Sequence, residues 1–174
     1  MFQQAVDRWE QVITAGLPGF TISGNTNVCN GVSAYNGPVH SVRIDIVVKA
    51  IDRVGGTLGS SGPCLIRAST SLPAYGVIIL DSADVDMLQA QGLLLATVTH
   101  EMGHVLGYGT LWDDFKLTTG TGNGASCGSD SQYVGALWCV SGTPSAGAET
   151  SRSRPPAVWG PVIAAGEGRC LATS

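Results

Sequence analysis

The stretch Thr99–Thr110, THEMGHVLGYGT, holds two histidines four residues apart and a glutamate directly after the first of them. Apolar residues recur around them at spacings of three and four, which predicts an α-helix whose core-facing stripe comprises Leu95, Val98, Met102, Val105 and Leu106. His100 and His104 share another stripe, because residues four apart on a helix project from the same face. Gly107 suits the left-handed residue that often ends a helix. The stretch therefore predicts a helix that presents two imidazoles side by side.

This spacing carries a specific chemistry. Two imidazoles one helical turn apart can hold a single zinc ion. Glu101 is rotated by about 100° from His100, so its carboxylate can reach a zinc-bound water without binding the metal, as a general base in peptide hydrolysis would. The alternative is a chance match on an amphipathic helix. Because the motif lies on a predicted helix, follows a strand and is closed by a glycine, we favour His100 and His104 as ligands of one catalytic Zn²⁺ and Glu101 as the base.

The residues before this helix predict a helix and a sheet. The first residues have the pattern of an amphipathic helix ending near the GLPG turn at 16–19, with an apolar stripe of Phe2, Val6, Trp9, Val12 and Ile13. The segment HSVRIDIVVKAID predicts a strand whose buried face comprises Val42, Ile44, Ile46 and Val48. CLIRAS and YGVIILD predict two more strands, so we expect a sheet of at least three. Ser82 suits the N-cap of the next helix, with Asp84 and Asp86 in its first turn and a break at Gly92.

Composition narrows the class of protein. The 174 residues suffice for one domain, and a net charge of -4 with nine Lys plus Arg offers no basic surface for nucleic acid. The longest apolar runs are too short to span a bilayer, and the N-terminus lacks the basic and apolar segments of a signal peptide. The chain opens in helical register, as a sequence that begins inside a longer protein would.

The five cysteines have no zinc-finger spacing, and an odd number cannot all pair within one chain. Cys29 and Cys64 can bridge the loops around the first strands in an oxidising compartment, or they can be isolated thiols. The residues alone leave both alternatives open.

The motif and its surroundings together resemble one family. HEMGHVLGYGTLW, following FQQAVDRWEQVITAGLP, VGGTLGSSGP and LPAYGVIILDSADVDML, resembles the leishmanolysin-like zinc metalloproteases of the metzincin clan, over about residues 2–136. The resemblance implies an α+β fold: the N-terminal subdomain of a zincin-like protease, with a mixed twisted sheet, an N-terminal helix and an active-site helix. It implies a catalytic core at 1–136, a peptide or protein substrate, and an extracellular or cell-surface location. It also implies an edge strand that pairs with extended substrate, which we place around Gly76 to Leu80.

The third zinc ligand is the open question. Most metzincins carry a third histidine where this chain has Thr110, whereas the leishmanolysin-like branch brings it from farther downstream. No histidine follows His104, and the only methionines, Met1, Met87 and Met102, leave no Met-turn. His40 is expected to be structural or exposed, and Asp113 or Asp114 offers an oxygen ligand as an alternative to capping the helix end or facing solvent.

Residues 137–174 have little periodicity, and we expect an irregular, poorly ordered tail. The adjacent codon frame permits strings that resemble the family's segment leading to its third ligand, so we interpret the tail as the product of a frameshift near Leu137. One detail resists this hypothesis: the shifted frame forces a codon that cannot encode histidine before its Trp.

Three functions follow as hypotheses. The first is a zinc metalloendopeptidase that hydrolyses peptide bonds with a zinc-bound water and Glu101 as general base. The second is a catalytically impaired zincin-like fragment without its third ligand, since catalytic zinc sites normally have three protein ligands and a water. The third is a non-catalytic binding module.

Overall fold

One helix, five strands, two helices and two short strands follow one another along the described part of the chain. The computed structural model describes residues 1–119 and the backbone of residues 132–133. The helices are α1 (Phe2–Glu10), α2 (Val85–Ala90) and α3 (Leu94–Val105). The strands are β1 (Phe20–Ile22), β2 (Gly37–Val39), β3 (Arg43–Lys49), β4 (Gly59–Ile66), β5 (Pro73–Asp81), β6 (Thr118–Thr119) and β7 (Gln132–Tyr133). The α+β class is confirmed, whereas the expected tail at 137–174 lies outside the described residues.

The main sheet has three strands in the order β3-β5-β4. β5 runs parallel to β3, with Ile78 opposite Ile46, and antiparallel to β4, with Ile78 opposite Ser61. The predicted mixed sheet is therefore present. β1 and β2 form a separate antiparallel pair.

Strand β5 is buried along all nine residues and supplies the core on both faces of the sheet. Side chains alternate between the faces of a strand. Ile78 and Leu80 accordingly pack against α1 and α3, in a cluster with Ala5, Leu88, Leu94, Val98, Met102 and Val105. Tyr75, Val77 and Ile79 pack on the opposite side, against Ile22 of β1 and Val39 of β2. The sheet is thus covered by helices on one face and by the β1–β2 pair on the other.

The prediction that Gly76 to Leu80 form the edge strand is wrong. These residues belong to β5, which has a hydrogen-bonded neighbour on each side, so it has no free edge for a substrate. Among the described residues, β4 is an edge of the sheet. Its composition, GSSGPCLI, fits that position, because Pro63 lacks a backbone N–H and is tolerated at an edge or bulge, and the register shifts between Pro63 and Leu65.

The helices differ from the prediction at their ends. α1 stops at Glu10, before the predicted end, and a turn follows in which the N–H groups of Val12 and Ile13 both donate to the Trp9 carbonyl. The β-branched run from Val12 to Thr14 disfavours a longer helix.

The predicted break at Gly92 is confirmed, since Gly92 has a φ of 70° and separates α2 from α3. The N-cap of α2 is Asp84 and not Ser82. The reason is Asp81, whose carboxylate accepts the N–H of Ala83 at 3.0 Å and turns the chain before the helix begins.

The structure pairs Cys29 with Cys64, with their Cα atoms 5.8 Å apart. This disulfide ties the loop between β1 and β2 to strand β4, and it resolves the alternative that the sequence left open. Among residues 1–119 and 132–133, no helix is long and apolar enough to cross a membrane.

Candidate metal centre

Helix α3 packs closely against α1 and the sheet. A Cβ atom added at Gly103 would lie 2.9 Å from the Trp9 ring, and one added at Gly76 would lie within van der Waals distance of Val105, in conflict with it. The Trp9 indole N–H also donates to the Thr99 carbonyl at 2.9 Å. These close contacts fix the rotation of α3 about its axis, and hence the direction in which His100 and His104 project.

The two predicted ligands converge. The Nε2 atoms of His100 and His104 lie 3.0 Å apart, and their rings are nearly perpendicular, with centroids 4.6 Å apart. Two nitrogens on one tetrahedral zinc ion, at about 2.0–2.1 Å from it, would be separated by about 3.3 Å. The pair therefore has nearly the spacing that a shared zinc ion requires.

The orientation of His104 is set by the loop that follows the helix. His104 Nδ1 lies 2.9 Å from the carbonyl oxygen of Tyr108, an arrangement in which Nδ1–H donates and the lone pair stays on Nε2. Gly107 and Gly109 have φ of 101° and 79°, backbone conformations that glycine adopts readily, and they turn the Tyr108 carbonyl back toward the helix. The segment GYG therefore orients the His104 ring, whereas the sequence analysis gave Gly107 only the role of ending the helix.

Thr110 also acts on this loop. Its Oγ1 donates to the carbonyl of His104 at 2.7 Å, and the same carbonyl accepts the N–H of Gly107 at 3.1 Å, so the hydroxyl adds a second hydrogen bond at the helix end. Thr110 therefore stabilises the C-terminal end of α3.

Glu101 lies in the narrow space between α3 and the edge strand β4. Its side chain is only 7% exposed, and Ser61 Oγ is 2.5 Å from Oε2 and 2.9 Å from the Glu101 carbonyl oxygen. A Cβ atom added at Gly59 would lie 3.3 Å from Cγ and Cδ of Glu101. Gly59 and Ser61 thus set the position of the carboxylate. Sequence reasoning missed both, because nothing in the pattern GTLGSSGP places it beside a helix 40 residues later.

The other predicted candidates do not join the two histidines. Among residues 1–119, no third His, Cys, Asp or Glu has a ligand atom within 4.8 Å of both imidazoles. His40 is exposed after the end of β2, as expected. Asp113 and Asp114 lie in the turns after the helix and contribute no ligand there.

Comparisons with protein families, with curated proteins and with solved structures find no match for this chain.

Proposed function

We propose that the chain is a zinc-dependent metalloendopeptidase of leishmanolysin-like type, with His100 and His104 as zinc ligands and Glu101 as general base. The observation that supports it best is the pair of converging Nε2 atoms, one of them oriented by the Tyr108 carbonyl. Metal-binding histidines typically donate their second ring N–H to such an acceptor. A chance H-E-x-x-H match on a helix requires no such arrangement.

A zinc ion held by these imidazoles would supply Lewis acidity to a water molecule and to the scissile carbonyl. Glu101 accepts the proton of the attacking water and passes it to the leaving amine. Ser61 donates to Oε2, while Oε1 has no hydrogen-bond donor among the described residues and is the oxygen available to the water. Burial of the carboxylate limits competing contacts with bulk solvent.

Strand β4 is our proposal for the substrate-pairing edge, in place of the residues in β5. It is an edge strand in the described sheet, and it reaches Glu101 through Gly59 and Ser61. An extended peptide added to this edge by main-chain hydrogen bonds passes next to the base. The proposed substrate is therefore a peptide or protein segment in extended conformation.

An extracellular or cell-surface location is part of the proposal. The Cys29–Cys64 disulfide supports it, because disulfides persist in oxidising compartments and are rare in the cytosol.

The test is Glu101→Gln in the full chain, loaded with zinc and assayed on a quenched peptide library. We expect kcat to fall by roughly 10²–10⁴, with zinc content unchanged, because Glu101 handles protons and not metal. Glu10→Gln, at the exposed end of α1, is the matched control and should retain full activity.

His104→Ala should lose zinc itself, as measured by metal content after dialysis. Full turnover in Glu101→Gln would show that Glu101 is not the general base. Unchanged zinc content in His104→Ala would show that His104 is not a zinc ligand and would contradict the proposed metal site.

A second candidate, a catalytically impaired zincin-like fragment, is favoured by one observation: no third ligand joins the two histidines among residues 1–119. Zinc affinity separates the candidates. A site with three protein ligands keeps zinc through dialysis against zinc-free buffer, whereas a site with two loses it, and the intact chain would then show no peptidase activity.

A further inference from the structure

A second polar cluster lies at the carboxyl ends of β3 and β5, built from residues that the proposed peptidase site does not use. Asp52 follows β3, Asp81 ends β5, and Asp84 precedes α2. One carboxylate oxygen from each lies within 4.8 Å of the others. Asp81 and Asp84 are 0% exposed, whereas Asp52 is exposed and opens the cluster to solvent.

Backbone N–H groups donate hydrogen bonds to most oxygens of the three carboxylates. Asp81 accepts the N–H groups of Ala83 at 3.0 Å, Asp52 at 2.9 Å and Ile51 at 3.2 Å. The Asp52 carboxylate accepts Thr57 N–H, and Asp84 Oδ1 accepts Gly55 N–H at 2.8 Å. The carboxylates thereby fasten the loop at 50–57 to the turn before α2.

Asp84 Oδ2 takes no part in these hydrogen bonds. That oxygen is buried and has no hydrogen-bond partner. No Lys or Arg among the described residues forms an ion pair with any of the three carboxylates. A buried carboxylate oxygen without a donor or a cation is costly, and in native proteins such groups are nearly always satisfied. The cluster thus has negative charge and a free ligand atom, but no cation among the described residues.

We propose that Asp52, Asp81 and Asp84 bind a calcium ion. An all-oxygen set of carboxylates selects a hard cation over zinc, which prefers nitrogen and sulfur. Calcium takes six to eight oxygens in flexible geometry, and the exposed side at Asp52 admits water for the remaining positions. The bonds to backbone N–H groups do not prevent this, since each carboxylate oxygen has a second lone pair. The site is separate from the histidine pair and independent of the proposed peptidase activity.

The ion would act on the sheet through the loop it holds. Residues 50–57 lead from β3 into β4, and the next residue, Leu58, accepts the N–H of Asp81 through its carbonyl. Calcium binding therefore orders the start of the edge strand and stabilises the folded chain, because a ligand that binds only the native state raises the unfolding free energy.

The test uses the full chain, stripped of divalent cations on a chelating resin and then resaturated with zinc, so that the histidine pair is constant. Calorimetric titration with calcium chloride should show one binding event, and millimolar calcium should raise Tm by about 5 °C or more. Magnesium should bind more weakly, because it requires near-octahedral geometry.

Asp84→Asn, which keeps the shape but removes the charge, should weaken calcium binding by at least about 10-fold. Asp86→Asn, at an exposed position in the first turn of α2, is the matched control and should bind calcium like the unmodified chain. If Asp84→Asn fails to fold, Asp52→Asn replaces it, because that side chain is exposed. No heat of binding and no Tm shift in the unmodified chain would overturn the site, as would calcium affinity that Asp84→Asn leaves unchanged.

Discussion

Strands β4 and β5 are neighbours in one sheet, yet they have opposite compositions. β5, PAYGVIILD, is buried throughout and packs on both faces of the sheet. β4, GSSGPCLI, is partly exposed, and it carries the disulfide, a proline and the residues beside Glu101. The difference separates two tasks: β5 provides the core, and β4 provides the boundary of the candidate site. Substitutions in β5 should therefore change stability, and substitutions in β4 should change activity.

Ile78→Ala tests the β5 half of the comparison and has the largest expected effect. Ile78 is fully buried in the core cluster between the sheet and the helices, so its truncation should lower the unfolding free energy by roughly 2–5 kcal/mol. Denaturant titration measures the change. The matched control is Ile66→Ala at the end of β4, where the side chain is 39% exposed and a much smaller loss is expected. Equal losses in the two variants would contradict the division of tasks.

Gly59→Ala tests the β4 half. The added methyl group would lie 3.1 Å from the Ile79 carbonyl oxygen and 3.3 Å from Cγ and Cδ of Glu101. The Glu101 side chain yields more easily than the paired backbone of β5, so the carboxylate is expected to shift, and displacement of the proposed base slows the reaction. We expect kcat of the zinc-loaded chain to fall by roughly 10-fold or more, while the fold is retained. Gly62→Ala, in the same strand with no atom within 4 Å of the new methyl, is the control and should leave kcat unchanged. Equal kcat in Gly59→Ala and Gly62→Ala would show that β4 does not position Glu101.

Tyr75 of β5 gives the smallest effect, a pH dependence of stability that is confined to the alkaline range. Burial, together with the charge and hydrogen bond of Asp45, raises the pKa of Tyr75 from 10.0 to about 12. A group whose pKa is raised on folding stabilises the native state fully below the unfolded pKa and loses that contribution as pH rises through the folded pKa. Stability should therefore decline between pH 10 and about 12.

Tyr75→Phe should have a flatter profile of unfolding free energy over this alkaline range. An equally steep decline in that variant would assign the alkaline loss to other groups.

The sequence predicted the positions of the helices and strands better than the order of the strands in the sheet. The helical period around Val98 and Met102 and the break at Gly92 were sufficient to predict α2 and α3, because a helix is determined by residues close together in the sequence. The order of strands is not local. The unbroken apolar run GVIIL is typical of a strand covered on both faces, and Pro63 is typical of an edge strand. Composition therefore indicated a central position for β5, whereas the family resemblance led us to place it at the edge.

The candidate site divides in the same way. His100, Glu101 and His104 were predictable because helical spacing places them within one turn. Ser61 and the Tyr108 carbonyl were not, since one contact joins residues 40 apart and the other depends on two positive φ angles in the GYG loop. The cluster of three aspartates was equally unpredictable, because Asp52 lies near Asp81 only when β3 pairs with β5.

The glycine in the middle of β5 has a consequence for folding. A strand that is apolar on both faces has no alternation of polar and apolar residues to fix its register. Shape must do so, and Gly76 is the position that meets Val105 of α3 and the Gly62 carbonyl too closely for any side chain. A shift of β5 by one residue would bring Tyr75 or Val77 into that space, and a shift by two would bring Ala74 or Ile78. Each of these slipped pairings would place a side chain against the Gly62 carbonyl, so the missing side chain at Gly76 favours the observed alignment of the central strand.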